Sequence, residues 1–158
     1  MTNLKPAIDF THIFDAVEFP DAYKTSYVAN AVVTPTYEDI RRDFNLVRSE
    51  YHLLLCLAHY EELTAQDVAR MTRRPRNSIS RAVHRMLEHH FLERVPDPTD
   101  GRQAKLKITK AGLKLHAEIS AYLVKREAEI FDILDKSERV QLQMLLGKLA
   151  QHAAELER

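Results

Sequence analysis

A mainly helical chain carrying one small β-hairpin is the fold class this sequence predicts, and three observations predict it. Only three glycines and no tryptophan occur in 158 residues, while long stretches are rich in Ala, Leu, Glu, Gln, Lys and Arg. Apolar residues recur at three- and four-residue steps through most of the chain. One stretch, residues 92–108, breaks that rhythm with two short alternating segments around a turn rich in Pro, Asp and Gly. A large sheet would need more turns, and 45% apolar content over this length suits one packed domain.

Each element follows in order. The segment up to Pro20 holds Ile8, Phe10, Ile13, Phe14, Val17 and Phe19, too apolar for a disordered tail, so it is expected to pack on something. Helical patterns cover about 21–33 and 36–44, where Pro35 either begins a new helix or kinks a single long one. From Arg48 to Tyr60 the chain reads as a buried helix, with Tyr51, Leu54, Leu55 and Ala58 on one face and Leu53, Cys56 and Leu57 widening it. Thr64, three residues before Asp67, opens a short helix through about Met71 with a capping box. Pro75 marks the next start, and Ile79, Val83, Met86 and Leu87 stripe a helix from about Arg76 to His90. Two helices joined by about four residues form a helix-turn-helix pattern.

Leu92 to Val95 and Lys105 to Ile108 then read as strands of a wing, with Leu106 and Ile108 on one face and Lys105 and Lys107 on the other. Thr109 caps a long helix to about Leu134, and Asp135 or Ser137 starts the last one. In that last helix Leu142, Leu145, Leu146, Leu149, Ala153 and Leu156 form a stripe that needs a partner: either the preceding long helix or a second copy of the chain.

The formal net charge is zero, yet the charge is segregated. Residues 70–110 hold eleven basic against four acidic side chains, a local charge of +7, so the flanks sum to −7. A phosphate backbone responds to the local field of the face it meets rather than to the total. The single Cys56 excludes an intramolecular disulfide framework, and within its run of leucines it is expected to be a buried, unreactive thiol. The start MTNLKPAIDF lacks a leader pattern and no run of about 18 apolar residues occurs, which predicts a soluble, cytoplasmic protein without a membrane partner. No phosphate loop, nucleophile elbow, HExxH or paired-cysteine motif is present, so neither an enzyme nor a cofactor is expected. The eight histidines show no ligand spacing, and no metal site is expected.

The stretch Leu63-Thr64-Ala65-Gln66-Asp67-Val68-Ala69, then Asn77 to Val83, then Arg94 and Asp97 to Arg102 with Leu106 to Gly112, resembles the multiple-antibiotic-resistance regulator (MarR) family from about Leu53 to Gly112. The resemblance implies a winged helix-turn-helix at 48–109, flanked by dimerisation regions at 1–47 and 110–158, all in one structural domain. It further implies a homodimer that binds pseudo-palindromic duplex DNA and regulates transcription, as a repressor released by a small aromatic or phenolic ligand. Where the family commonly has glycine in the turn, this chain has Arg73.

Carried onto this sequence, the resemblance assigns Arg76, Asn77, Ser78, Ser80 and Arg81 to the DNA-facing side of the recognition helix. It assigns Arg102 at the wing tip to the minor groove, and Lys105 and Lys107 to phosphates. Asp100 and Arg94 are expected to orient the wing. An effector would lie between the helix at 48–60, the start of the long helix after Gly112 and the N-terminal helices, with Arg48, Tyr51 and His52 as its polar contacts. Two competing readings are a winged-helix module that binds another protein and a regulator that acts without an effector.

Overall fold

The computed structural model describes residues 10–96 and 104–156. A 3-10 turn at Phe10–His12 and a short helix α1 at Ile13–Ala16 lead into α2, Pro20–Phe44. Pro35 lies inside α2, so the two helical patterns are one continuous helix. A proline there removes one intrahelical donor, and beside it the Thr36 hydroxyl bonds the Val32 carbonyl at 2.7 Å. The helix stops at Asn45, which takes the left-handed conformation at φ 53° that asparagine tolerates.

Helix α3, Arg48–His59, is the spine of the core, with Leu53, Leu54 and Leu57 almost wholly buried. Its start is closed by the Glu50 carboxylate, which accepts the Val47 N–H at 2.8 Å. Helix α4, Ala65–Thr72, begins with the expected capping box: Thr64 Oγ1 accepts the Asp67 N–H at 3.1 Å and Asp67 Oδ2 accepts the Thr64 N–H at 3.0 Å. Helix α5, Arg76–Glu88, follows after a turn through Arg73, itself left-handed at φ 53°.

Strands β1, Leu92–Val95, and β2, Lys105–Ile108, pair antiparallel with Leu92 opposite Ile108 and Val95 opposite Lys105. Leu63 adds an isolated antiparallel bridge on the other edge of β2 by exchanging both backbone hydrogen bonds with Leu106, at 2.8 and 3.2 Å. The side-chain alternation holds, since Leu106 is buried under the hairpin and packs with Leu92 in the core.

Thr109 caps α6, Lys110–Phe131, by accepting the Gly112 N–H at 3.1 Å, and its hydroxyl donates to the His90 carbonyl at 2.8 Å. Gly112 is required here because a Cβ would lie 2.3 Å from the Phe91 carbonyl oxygen. Asp135 caps the last helix, α7, Lys136–Glu155, accepting the N–H groups of Ser137 and Glu138. No residue of α7 is buried. No helix among the described residues is long and apolar enough to cross a membrane.

Candidate nucleic-acid interface

Helix α5 has two distinct sides. Ile79, Ala82, Val83 and Met86 face the core, which fixes the roll of the helix about its axis. The opposite side leaves Arg76, Asn77, Ser80 and Arg81 exposed, with Ser78 half-buried at its edge. His84 continues this exposed stripe one turn beyond Ser80 and Arg81, a position the i, i+3 and i+4 spacing makes predictable once the buried face is known. The first turn of α5 begins after Pro75 without a side-chain cap, so its leading N–H groups remain open to an anionic acceptor.

Behind the exposed stripe, a charged pair that the sequence did not single out holds α5 against α3. The Glu50 side chain is only 3% exposed and pairs with Arg85 at 3.2 Å, while Arg85 also donates to the Asn45 carbonyl at 3.0 Å. A buried carboxylate would be costly alone, and here it is satisfied by a guanidinium on one oxygen and a backbone N–H on the other. Arg85 thus contributes to the local positive count but points inward. Its role had no signature in the sequence because its two partners lie 35 and 40 residues away.

In the wing, Arg94 is exposed on β1 and Lys107 is half-buried on β2. Lys105 sits 3.5 Å from the Glu62 carboxylate, which offsets part of its charge. Arg102 and Asp100 lie outside the described residues.

The three residues expected to meet an effector divide. Arg48 and His52 line an open cleft of about 510 Å³ together with Cys56, His59, Met71 and Thr72. Arg48 also borders a neighbouring hollow against α2 and stacks its guanidinium over the Tyr37 ring at 4.5 Å. Tyr51 lines neither of these two hollows; it is buried in the core, where its ring meets Tyr37 at 6.0 Å, and burial pushes its hydroxyl up to about 12.

His52 Nε2 lies 2.7 Å from the Tyr37 hydroxyl. With the tyrosine donating, the ring proton sits on Nδ1, a buried atom without a hydrogen-bond partner among the described residues. Burial, reinforced by the nearby Arg48 and Arg74 cations, holds His52 down at about 4, so the ring is neutral at physiological pH. Cys56 is buried and its thiol is raised by that burial, as its leucine-rich setting predicts. No group of three or more metal-ligating side chains occurs among the described residues.

Residues 44–103 match the sequence profile of the MarR family. The chain is 25% identical over 122 residues to the HTH-type transcriptional regulator FarR of Neisseria gonorrhoeae, spanning 77% of this chain and 84% of that protein. Its fold is similar to a MarR transcriptional regulator from Methanosarcina mazei Go1, with a TM-score of 0.76 at 14% identity over 86% of this chain and 97% of the other. It is also similar to MepR of S. aureus, solved as a complex with DNA, with a TM-score of 0.70 at 20% identity over 85% of this chain and 99% of the other. The profile falls on the helix-turn-helix and wing, and the fold likeness extends over the helices on either side. Residues 44–103 are thus similar to the MarR family, and the fold of the chain is similar to that of solved MarR-type structures.

Proposed function

We propose that this chain binds pseudo-palindromic duplex DNA as a homodimer and represses transcription until a small aromatic acid or phenol releases it. The observation that carries the DNA-binding part is the exposed stripe Arg76, Asn77, Ser80, Arg81 on a helix whose other face is locked into the core. Asn77 has the amide to pair with an adenine edge, and Arg76 and Arg81 have the donors for guanine or phosphate. Arg102, Lys105 and Lys107 would add wing contacts to the backbone and minor groove, with Arg94 and Asp100 setting the wing's orientation.

The dimer rests on the apolar surface that one copy leaves in water. On α7, Val140, Met144, Leu145, Leu146 and Leu149 are between 47 and 66% exposed, and Phe19, Tyr27 and Val28 are exposed near the other end of the chain. A second copy covering both patches pairs the two recognition helices about one helical turn of DNA apart.

The effector reading rests on the cleft beside α3. Arg48 supplies a cationic donor on a mostly apolar wall, which suits a carboxylate or phenolate on an aromatic ring. Such a ligand would act by preferring a state with a different spacing of the recognition helices.

The test is direct. The full chain should enrich an inverted-repeat sequence from a random duplex library, with affinity that falls steeply with salt. Benzoate- and phenol-type compounds should raise the melting temperature and weaken that complex, and Arg48→Ala should abolish both effects. Failure to enrich any duplex would favour a protein-binding module; enrichment without any responsive compound would favour a regulator that acts without an effector.

A further inference from the structure

Arg73 sits in the turn just before the recognition helix at φ 53° and ψ 33°, a left-handed conformation that glycine adopts freely and arginine does not. Its guanidinium leaves the turn and donates to the Ala153 carbonyl at 2.7 Å, eighty residues further along the chain. Ala153 lies in the last turn of α7, where carbonyl groups have no intrahelical donor and the helix dipole is negative, so a cation is well placed there. Helix α7 buries none of its own residues, and this bond links it to the helix-turn-helix.

The other end of the recognition helix has a matching tie. Arg85, in its last turn, donates to the carbonyl of Asn45, the residue that ends α2. Helix α5 is therefore held near both ends by guanidinium groups on the carbonyl ends of two long helices. Those two helices carry exposed apolar surface, including Tyr27 and Val28 on α2 and Leu145 and Leu149 on α7.

We infer that Arg73 is a positioning residue: by joining the turn to the end of α7 it sets the separation of the two recognition helices in the dimer, and hence the half-site spacing that the dimer accepts. This rests on the dimeric DNA-binding reading above. A tie from the reading head to the proposed dimer seam penalises an operator whose half-sites are misplaced, whereas an untied head tolerates them. The arginine's unfavourable backbone conformation is consistent with a side chain retained for its reach rather than for the turn itself.

The experiment uses the full chain and the duplex that it enriches from a random library, remade with one base pair inserted or removed between the half-sites. Wild type, Arg73→Gly and Arg73→Lys are compared for affinity to each spacing and for melting temperature. The glycine variant should melt no lower than wild type, since glycine suits the turn, and should bind the original spacing within about threefold of wild type. Its discrimination against the altered spacings should fall by about tenfold or more. The lysine variant, whose ammonium reaches one carbonyl, should recover part of that discrimination. Unchanged discrimination in Arg73→Gly would overturn the inference, as would an equal loss of affinity at every spacing, which would mark Arg73 as a phosphate contact. If wild type enriched no duplex, the DNA-binding reading would fall and this inference with it, an outcome separable from the other two.

Discussion

The segment from Leu46 to Leu106 and the helices that flank it treat their apolar residues in opposite ways. Among the described residues, fourteen of the sixteen buried hydrophobic ones lie within that segment, whereas thirteen of the sixteen large exposed ones lie outside 44–109. The segment therefore holds most of a single core, to which Ile40 of α2 and Ile119 of α6 also contribute. The flanks carry a surface that is finished only by something else. A recognition surface must keep its shape when it meets DNA, and burying one face of α5 in a local core secures this. In the proposed dimer the exposed side of α7 is the seam, which stays open until the second copy covers it.

The most severe way to break this contrast is to remove the unfinished part. Deleting residues 137–158 should convert the dimer to a monomer in sedimentation and lower operator affinity by about a hundredfold or more, because two linked heads become one. The head should still unfold cooperatively in urea. A deletion variant that remained dimeric would place the seam elsewhere.

The paired substitutions Leu54→Ala and Leu149→Ala sharpen the comparison. Leu54 is wholly buried, and its truncation should cost about 2 to 5 kcal/mol of unfolding free energy. Leu149 is 59% exposed, so its truncation should leave the unfolding of dilute, dissociated chains within about 0.5 kcal/mol of wild type while raising the dimer dissociation constant. Equal losses in both variants would erase the distinction between core and seam.

A pH series probes the head from within. His52 is held neutral, at about 4 against an ordinary 6.5, while the unfolded chain takes up its proton at the ordinary value. The unfolded state thus binds more protons between those values, so this contribution is whole above pH 6.5 and is lost as pH falls toward 4. The loss should be on the order of 3 kcal/mol by denaturant titration. His52→Gln keeps an acceptor for Tyr37 and should flatten that part of the profile; an unaltered slope would assign it to other groups.

The mildest change touches the exposed stripe alone. Asn77→Ala should leave the melting temperature within about 2 °C, since the side chain is exposed, and should cost about 1 to 3 kcal/mol against the preferred sequence with less loss on others. Competition binding with the two duplexes measures both; an equal loss on each would make Asn77 a phosphate contact.

Much of the reading head was legible before the fold was known because its signals are local. The capping pair Thr64 and Asp67 spans three residues, Thr109 caps its own helix, and the strand bounds at Leu92–Val95 and Lys105–Ile108 follow from alternation between turn residues. The exposed stripe of α5 was equally readable, since the apolar period defines its complement. Pro35 was not: a kink and a restart differ only in whether neighbouring packing sustains the helix through the missing donor, and α2 is sustained. Which of Tyr51 and His52 borders the cleft was not legible, because adjacent residues on a helix point about 100° apart and only the packing shows that His52 lines it.

The sequence by itself determined the helical class, the helix-turn-helix and hairpin order, the basic stretch at 70–110 and the exposed stripe of α5, because each depends on period, capping or composition within a few residues. Only the tertiary structure decided that Arg85 turns inward to the buried Glu50, that Arg73 reaches Ala153, and that His52 meets Tyr37. These contacts join residues 15 to 80 positions apart, and no local pattern encodes which distant partner a long or titratable side chain will find once the helices have packed.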